Sequence, residues 1–439
     1  MGRVLQLLVV VLLVLVPAPL VLSGPVRPRP KINRFSSRAR PMKFILRSVV
    51  KGAGRWIKDQ IMSPSRGHQE DEPDNSADSA GLFIFNLSIG TSTPQEIPGI
   101  WTSLPSWCGR SARPAPPASR RRHSRLPCSS HTCQSVVNQT CAANDSPCGY
   151  IATYIDATTN TAGYLSNDTF TFDSAQVPLV FGCSGASAGD FSGASGVFGF
   201  SRGPLSLVSQ LQLSWFSYFW DSNDSSGDSF VQFGDDEVTR PPNSRSTPLL
   251  TNPLYPELYF VNLAGIMIDG ELQRDIPAGT FDLLANGSGG VVLSTTVPAT
   301  FLEEAAYDVV KKVLSSKIKA NPVNGSALGL DLCYTMQSIA KTVPKLALVF
   351  DGDDAVMHLK RSNYFFRDND TGLDCLTILP NRGLSLLGSL VQTDRNITYD
   401  MADAQAPQLI FDAGAAPPVH SLASMSMALS FGVWMVVLF

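Results

Sequence analysis

One tripeptide of this 439-residue chain, Asp370-Thr371-Gly372, places a carboxylate in a turn of small residues. Carboxylates in such turns can activate water when two of them share a proton, because like charges at close range cannot both ionise. The tripeptide follows charged residues rather than an apolar strand, and it overlaps the glycosylation sequon that begins at Asn369. We therefore predict an exposed turn there, and a single turn cannot supply a pair of acids.

A second segment has the strand and turn of such a site but no acid. Gly289–Leu302, GGVVLSTTVPATFL, has a glycine pair, three apolar residues and a turn of Ser294, Thr295 and Thr296, and the helix-like AAYDVVKKVLSS follows it. Other recognisable motifs, in chain order, are LFIFNLSIGT (82–91), GYLSNDTFTF (163–172), LVFGCS (179–184), SGVFGFSRGPLSLVSQL (195–211), GLDLCYTM, VPKLALVFDGD, NYFF, TGLDCLTI and LSLLGSLVQTDRNITYDM. Each motif is weak alone, but together in this order they are typical of one family.

These motifs resemble the plant branch of the pepsin-like aspartic peptidases, which includes nepenthesin-like peptidases and non-proteolytic xylanase-inhibitor relatives. The resemblance covers roughly residues 82–412. It implies a mostly β, bilobal, pepsin-like double β-barrel with a few short helices. It also implies one catalytic aspartate from each lobe, and Ser294 stands where the second aspartate would be.

The first catalytic turn would fall within Gln95–Cys108, QEIPGIWTSLPSWC, which is a few residues shorter than the family usually has. Thr102 and Ser103 match the small turn residues, which puts Trp101 in the place of the first aspartate. Proline suits an inner strand poorly because it removes a backbone donor, and the segment contains two prolines. The shortening is either genuine divergence or an error in the gene prediction. With both acids absent, the resemblance implies a pseudoenzyme with no catalytic residues.

Two apolar-apolar-Gly segments match the strands that pass beside the catalytic turns in this family. They end at Gly199 and Gly388, and their positions in two matching halves favour an internal repeat over two unrelated buried strands. Tyr154 matches the tyrosine of the family's flap hairpin, although an ordinary exposed hairpin tyrosine is an equal alternative.

The composition predicts a large folded protein, with 44% hydrophobic and 16% charged residues. Short runs rich in Val, Phe, Thr and Tyr, separated by Gly, Pro, Asn and Asp, predict mostly β structure. Helical periodicity is convincing only near Phe301–Ile318. The net charge of −3 gives no case for nucleic-acid binding, and no cofactor or metal is expected.

The two ends of the chain carry targeting features. A short apolar run after Arg3 and a small-residue exit predict a signal peptide. Small residues, a spacer and an uncharged apolar tail at the other end predict a glycolipid-anchor signal, which is removed from the mature protein. The predicted organisation is a signal peptide (1–24), a basic prosegment-like or disordered arm (25–80), an N-terminal lobe (82–245), a C-terminal lobe (246–412) and the anchor signal (413–439).

The cysteines and sequons agree with a secretory route. In an oxidising compartment disulfides are the default, and Cys333 and Cys375, alone in the second half, are expected to pair. The pairing of the first-half cluster stays open, with a zinc site as the alternative, and Cys183 is either free or paired within that cluster. The cluster consists of Cys108, Cys128, Cys133, Cys141 and Cys148. The sequons begin at Asn86, Asn138, Asn144, Asn167, Asn223, Asn286, Asn324, Asn369 and Asn396.

Three functions remain open on the sequence. The favoured one is a non-catalytic, monomeric, extracellular or cell-wall protein that binds a protein partner in its cleft, as xylanase-inhibitor relatives bind glycoside hydrolases. The second is an aspartic endopeptidase with a polypeptide substrate, for which an unrecognised acid would have to reach the cleft. The third is a decayed or mispredicted gene product that does not fold stably.

Overall fold

A computed structural model of the chain defines the fold over most of its length. It describes residues 42–48, 83–90, 94–103, 109–111, 124–136, 139–153, 160–172, 175–189, 191, 193–222, 229–339 and 343–414. All of these residues belong to one compact unit. The lobe boundary at residue 245 stays a prediction. In the part of the chain that is described, no helix combines the length and apolarity needed to cross a membrane.

Strands dominate the described residues. They are β1 (Met42–Ile45), β2 (Arg47–Ser48), β3 (Phe83–Ile89), β4 (Gln95–Thr102), β5 (Gly109–Ser111), β6 (Ser124–Arg125), β7 (Gln139–Thr140), β8 (Gly149–Thr153), β9 (Asn160–Phe172), β10 (Ala175–Ala188), β11 (Gly196–Gly199), β12 (Trp215–Phe219), β13 (Phe230–Gly234), β14 (Ser244–Pro248), β15 (Phe260–Val261), β16 (Leu263–Ile268), β17 (Glu271–Leu272), β18 (Val291–Leu293), β19 (Thr300–Glu303), β20 (Cys333–Thr335), β21 (Leu346–Phe350), β22 (Val356–His358), β23 (Phe365–Asp368), β24 (Leu373–Leu376), β25 (Ile378–Asn381), β26 (Ser385–Leu387), β27 (Asn396–Asp400) and β28 (Gln408–Asp412). The α-helices are α1 (His131–Gln134), α2 (Leu207–Leu211) and α3 (Glu304–Lys317), and short 3-10 turns lie at Ser326–Leu328, Arg361–Asn363 and Leu390–Gln392.

The first half is built on a ten-stranded sheet with the order β2-β3-β4-β11-β5-β10-β9-β8-β7, to which β6 adds on β9. β9 also returns to pair with β3, which curls the sheet. A six-stranded sheet, β1-β13-β12-β27-β28-β14, takes strands from both halves of the chain. The two halves therefore share one continuous hydrogen-bonded sheet.

The second half differs in detail from the expected double barrel. Its remaining strands form three open sheets, with the orders β15-β18-β26-β19-β25, β17-β16-β21-β22 and β20-β24-β23. The mostly β architecture with a few short helices is confirmed, but these second-half strands do not close into one barrel. The strands are short, of two to six residues, and the turns between them redirect the chain before one sheet can curl fully.

The sequence of β3 explains its placement. Phe83, Phe85, Leu87 and Ile89 are buried on one face, while Asn86 is exposed on the other, as the two-residue period of a strand requires. Its neighbour β4 contains Pro98 inside the strand, although proline suits an inner strand poorly. Pro98 lies opposite Asn86 of β3, and its carbonyl accepts a hydrogen bond from the Ser195 N–H at 2.7 Å, so its backbone nitrogen faces the β11 side as well. The β11 ladder begins only at the pair of Gly99 and Gly196, so no ladder bond needs the missing donor.

Helix α3 follows the predicted periodicity, but it is shorter than the predicted segment. Its first predicted residues belong to β19, and the side chain of Glu303 then caps the helix by accepting a hydrogen bond from the Ala305 N–H at 2.8 Å. Ala306, Tyr307, Val310 and Leu314 face the core at helical spacing.

Six of the described cysteines form disulfides within their own regions. The first-half disulfides join Cys128 to Cys141 and Cys133 to Cys148, and the second-half disulfide joins Cys333 to Cys375. The four clustered sulfurs are therefore not thiolates available to zinc, because the bond to another sulfur removes that ligand. Cys183 lies on β10 opposite Arg110, and the four clustered cysteines that could have paired with it bond to one another. Cys108 lies outside the described residues.

A hydrogen-bonded aspartate links the end of β12 to the second half. The Asp394 carboxylate accepts hydrogen bonds from Ser222 N and Oγ, both at 2.8 Å, and from Lys360 Nζ at 2.9 Å. Burial acts to raise the pKa of Asp394, but the hydrogen bonds from Ser222 and Lys360 outweigh it, and the pKa lies below its ordinary value of 3.8.

This aspartate should make part of the stability depend on acid pH. As the pH falls, the unfolded chain binds the proton first, so the carboxylate stabilises the fold above pH 3.8 and that stabilisation is lost below it. We expect Asp394→Asn to cost about 1 kcal/mol at about pH 6 and almost nothing at about pH 2. Urea unfolding at the two pH values measures this, with Asp370→Asn in the exposed turn as the control. An equal cost at both pH values would contradict the assignment.

Candidate functional site

The two predicted catalytic turns meet across the molecule. The Ser103 N–H donates a hydrogen bond to Thr295 Oγ1 at 2.9 Å, and the two hydroxyl oxygens lie 3.3 Å apart. Trp101 and Thr102 end β4, and Ser294 follows β18 directly. The structure thus places the two segments that the sequence aligned with each other side by side, although about two hundred residues separate them.

Each turn lies beside its apolar-apolar-Gly strand, but the registers differ at the predicted aspartate positions, because Trp101 lies opposite Phe198 whereas Ser294 comes directly after the pair of Leu293 and Leu387. β4 runs parallel to β11 with Thr102 opposite Gly199, and β18 runs parallel to β26 with Leu293 opposite Leu387. The Ser294 N–H donates to the Leu387 carbonyl at 2.9 Å, which holds the second turn against its strand. Both halves thus contain a strand that leads into a turn and pairs in parallel with an apolar-apolar-Gly strand, as the predicted internal repeat requires.

Gly388 is a position where only glycine fits. A Cβ there would lie 2.2 Å from the carbonyl oxygen of Pro298 and 2.3 Å from that of Ala299, and both are backbone atoms that cannot rotate away. We expect Gly388→Ala to lower the free energy of unfolding by about 2–3 kcal/mol because the strands must separate. Gly185→Ala is the matched control, since an added Cβ there meets no atom within 4 Å. Equal unfolding midpoints for the two variants would refute this packing.

Trp101 fills a buried aromatic pocket. The residue is 1% exposed, and its ring centroid lies 4.6 Å from Tyr218, 5.5 Å from Trp220, 5.8 Å from Phe200 and 6.3 Å from Phe216. The indole N–H has no hydrogen-bond partner among the described residues. The side chain is therefore held by packing alone, in surroundings that would not solvate a charge.

Ser294 is fully buried and held from two sides. Its Oγ accepts a hydrogen bond from the Val297 N–H at 3.1 Å, and its carbonyl accepts one from Gln392 Nε2 at 2.8 Å. The same amide nitrogen also donates to the carbonyls of Leu387 and Gly388. Gln392 thus joins the second turn to its neighbouring strand.

Gln392 also reaches the first half, because its Oε1 accepts a hydrogen bond from the Tyr218 hydroxyl. Tyr218 packs in turn on Trp101. Sequence reasoning missed both residues. The sequence around Gln392, SLVQTD (389–394), carries no distinctive signal, because its burial at 1% exposure depends on tertiary packing.

The electrostatics of the site favour neutral side chains. Burial raises the pKa of Tyr218, Tyr259 and Tyr399 above the ordinary range of tyrosine, so these hydroxyls stay protonated at neutral pH. Burial also lowers the pKa of Arg202, whose guanidinium lies 4.9 Å from the Tyr259 ring centroid. Ser103, Ser294 and Thr295 form hydrogen bonds with hydroxyl, amide and carbonyl groups.

The other predicted residues lie apart from this contact. Asp370 is in an exposed turn between β23 and β24, as predicted, where Thr371 donates from its N–H to Asp368 at 3.0 Å and Gly372 adopts a φ of 70°. Tyr154 lies outside the described residues, between the flap-like strands β8 and β9.

Comparison with known proteins agrees with this architecture. The profile of the xylanase inhibitor N-terminal domain matches residues 100–235, and that of the C-terminal domain matches residues 258–407. The chain belongs to the plant pepsin-like aspartic protease family. Within that family it is similar to nepenthesin-2 of Nepenthes gracilis, with 31% identity over 82% of this chain and 83% of the relative. Nepenthesin-1 of the same species is 32% identical over 74% of this chain and 76% of the relative.

Solved structures with the pepsin-like fold are also similar. The crystal structure of edgp superposes with a TM-score of 0.63 at 18% identity, and covers 86% of this chain and 96% of that one. Basic 7S globulin from soybean gives a TM-score of 0.63 at 18% identity over 87% and 98% of the two chains. At this identity the likeness shows the pepsin-like family fold alone.

Proposed function

We propose that this protein is a non-catalytic member of the pepsin-like family that binds a polypeptide or protein partner. The observation that supports it most is the contact of Ser103 with Thr295, which brings together two turns whose aspartate positions hold Trp101 and Ser294. Water activation in this family requires two carboxylates that share a proton, and neither position can supply one. Both side chains are also buried, so no solvent-exposed dyad forms at the turns.

The family profiles support a binding role with a protein partner, since both are described as domains of a xylanase inhibitor. We infer that the partner is a glycoside hydrolase or another folded protein held in the cleft or by its loops, with the protein acting as a monomer. A fold similarity alone would not justify this step, because one fold can serve many functions. The argument depends on the turn residues rather than on the fold.

Peptidase activity is the second candidate, because the nepenthesins to which the chain is similar are aspartic proteinases. Their chemistry would need an acid at Trp101 or Ser294, or one from a different segment that reaches the contact. The exposed position of Asp370 argues against that residue. A third possibility, a product that does not fold, is tested by the same experiment through the yield of secreted protein.

Hydrolysis of an unfolded protein at acid pH, with and without pepstatin, separates these functions. The secreted protein without its predicted anchor signal is compared with a Ser294→Asp variant of it, and near-ultraviolet circular dichroism checks that both are folded. We expect no pepstatin-sensitive cleavage from either protein, because one acid cannot form a dyad. Cleavage by the unaltered protein would reject the non-catalytic proposal and support the peptidase. Failure of the unaltered chain to fold would support the third possibility.

We also propose that the protein passes through the secretory pathway, is glycosylated, and is held at the outer cell surface by a glycolipid or released. The predicted signal peptide, the sequons and the apolar tail support this proposal. The signal peptide and the apolar tail lie outside the described residues. Release of the protein from intact cells by a phosphatidylinositol-specific phospholipase tests the anchor, and retention after that treatment would exclude it.

The sequons should differ sharply in occupancy. Asn86 and Asn167 are exposed, but Asn396 is half-buried, and its Nδ2 donates to Asp412 Oδ2 at 2.8 Å within the six-stranded sheet. A glycan on that nitrogen would break the bond and separate β27 from β28, so we expect glycans at Asn86 and Asn167 and none at Asn396. Mass mapping after enzymatic deglycosylation in heavy-oxygen water measures occupancy at each site. Glycan on Asn396 in folded protein would refute this part of the sheet.

A further inference from the structure

An apolar patch lies on the surface of the second half, where two loops meet. The side chain of Leu254 is 60% exposed and that of Leu284 is 51% exposed. Gly287 lies between them, because its N–H donates to the Leu284 carbonyl at 2.8 Å and an added Cβ on it would lie 2.6 Å from Leu254 Cγ. Beneath these loops is a small apolar cluster, formed by Leu250, Tyr255, Leu258, Phe260, Leu283 and Val292. The two exposed leucines therefore extend an apolar cluster to the surface.

One buried side chain fixes the two loops relative to each other. Asn252 is fully buried, and its Nδ2 donates to the Gly287 carbonyl at 2.8 Å. Its Oδ1 accepts hydrogen bonds from the Leu254 N–H at 2.8 Å and from the Tyr255 N–H at 3.3 Å. The placement of Leu254 beside the other loop is therefore set by bonds to the backbone of both loops.

The loop of Leu284 also carries a glycosylation sequon, Asn286-Gly287-Ser288. The Leu284 N–H donates to the Ser288 carbonyl at 2.9 Å, and Gly287 adopts a φ of 84°, so the sequon forms a tight turn. Asn286 is exposed, and its Oδ1 accepts hydrogen bonds from the Ser288 N–H at 3.0 Å and from Ser288 Oγ at 2.7 Å. Because the amide oxygen is held against Ser288, the Nδ2 atom that would carry a sugar points away from Ser288.

We propose that an N-linked glycan on Asn286 covers this apolar patch. Its innermost sugars pack their C–H faces on Leu254 and Leu284, and its outer sugars shield the leucines from other molecules. The glycan is attached two residues from Leu284 and next to Gly287, against which Leu254 lies. A bulky, hydrated glycan at this point also leaves no room for a protein partner on the leucines. This inference rests on the glycosylation proposed above and gives one sequon a specific role.

A second sequon of the same sequence lacks such a surface. In Asn324-Gly325-Ser326, the exposed Asn324 likewise accepts a hydrogen bond at Oδ1, from the Ser326 N–H at 2.9 Å. The leucines that follow it in the chain, Leu328 and Leu330, are 4% and 2% exposed. A glycan on Asn324 should therefore extend into solvent. The two sites provide a comparison within one molecule.

The test compares the two glycans on the folded, full-length secreted protein, made in cells that add oligomannose chains. An endoglycosidase that cuts between the two innermost sugars is added, and mass spectrometry of the two glycopeptides follows the glycan that remains at each site. We expect the Asn286 glycan to be removed at least about fivefold more slowly than the Asn324 glycan, because its inner sugars must leave the leucines before the enzyme can reach the bond.

Two leucine variants separate the patch from the loop. The rates at Asn286 and Asn324 should become equal when Leu254→Ser and Leu284→Ser are combined, because the sugars then have no apolar surface to pack on. Leu272→Ser is the matched control, since it replaces another exposed leucine of the second half and should leave the difference unchanged. Near-ultraviolet circular dichroism checks that each variant is folded.

Equal rates at the two sites of the unaltered protein would overturn the proposal. A slow rate at Asn286 that survives replacement of both leucines would also overturn it, since the loop itself would then obstruct the enzyme. Absence of a glycan at Asn286 would remove the proposed cover. Glycans found on Asn86 and Asn167 in the same digest would in that case leave the proposed glycosylation of the protein standing.

Discussion

Replacing Trp101 with aspartate should destabilise the fold by about 5 kcal/mol or more instead of restoring a catalytic acid. The substitution removes a large side chain that is 1% exposed and in contact with four aromatic rings. It also places a carboxylate beside the neutral side chains of Tyr218 and Trp220. Both the cavity and the unpaired charge lower the free energy of unfolding, and a typical domain has only about 5–15 kcal/mol to lose.

The measurement is guanidinium unfolding of the purified protein, together with the yield of secreted protein. Trp101→Phe is the control, because it keeps an aromatic ring in the pocket and should cost only about 1–2 kcal/mol. If Trp101→Asp were as stable as Trp101→Phe, the aspartate would have to reach water. The pocket would then open to the cleft, and the argument that this position cannot hold a working acid would fail.

Arg361→Met should cost about 3–4 kcal/mol, the second largest effect that we expect. The carboxylate of Asp374 is 1% exposed, and its Oδ2 accepts a hydrogen bond from Arg361 Nη2 at 2.6 Å. Arg361 also donates from Nη1 to the Ile339 carbonyl at 2.9 Å. Removing this arginine leaves a buried carboxylate with one remaining partner, Arg367, and breaking a buried ion pair from one side is costly because desolvation is no longer offset.

Arg367→Met is the matched control for this prediction. Its side chain is 50% exposed and bonds to the same oxygen at 3.1 Å, so the pair that it forms is screened by water and should contribute about 1 kcal/mol or less. Thermal unfolding of the two variants at neutral pH measures the difference. Equal losses would show that the two arginines share the carboxylate evenly, and that the burial of Arg361 does not decide the stability of this cluster.

Several features of the fold could be predicted from sequence because they depend on local patterns. The alternation in Phe83–Ile89 and the helical spacing of Ala306, Tyr307, Val310 and Leu314 are both reproduced in the structure. The exposed turn at Asp370 followed from its charged neighbours. These predictions succeed because backbone periodicity and turn chemistry act over a few residues. The errors lie at element boundaries. Residues 301–303, which the predicted helical segment included, belong to strand β19.

The candidate site was predictable only in part. The positions of Trp101 and Ser294 came from the order of motifs along the chain, and the structure brings their turns into contact through Ser103 and Thr295. Gln392 gave no comparable signal. Nothing in the local sequence distinguishes a glutamine that donates to three buried carbonyls from one that is exposed to solvent. Which polar group is buried depends on the strands that cover it, and those come from distant segments.

The sequence by itself therefore determined the family, the mostly β composition, and the turn residues that lack an acid. Tertiary structure alone decided what surrounds those turns. The aromatic pocket of Trp101, the bridge through Gln392, and the arm strand on β13 all join segments far apart in the chain. The physical reason is that strand register and side-chain packing are set when distant segments close on one another, whereas local propensity fixes only what each segment can become.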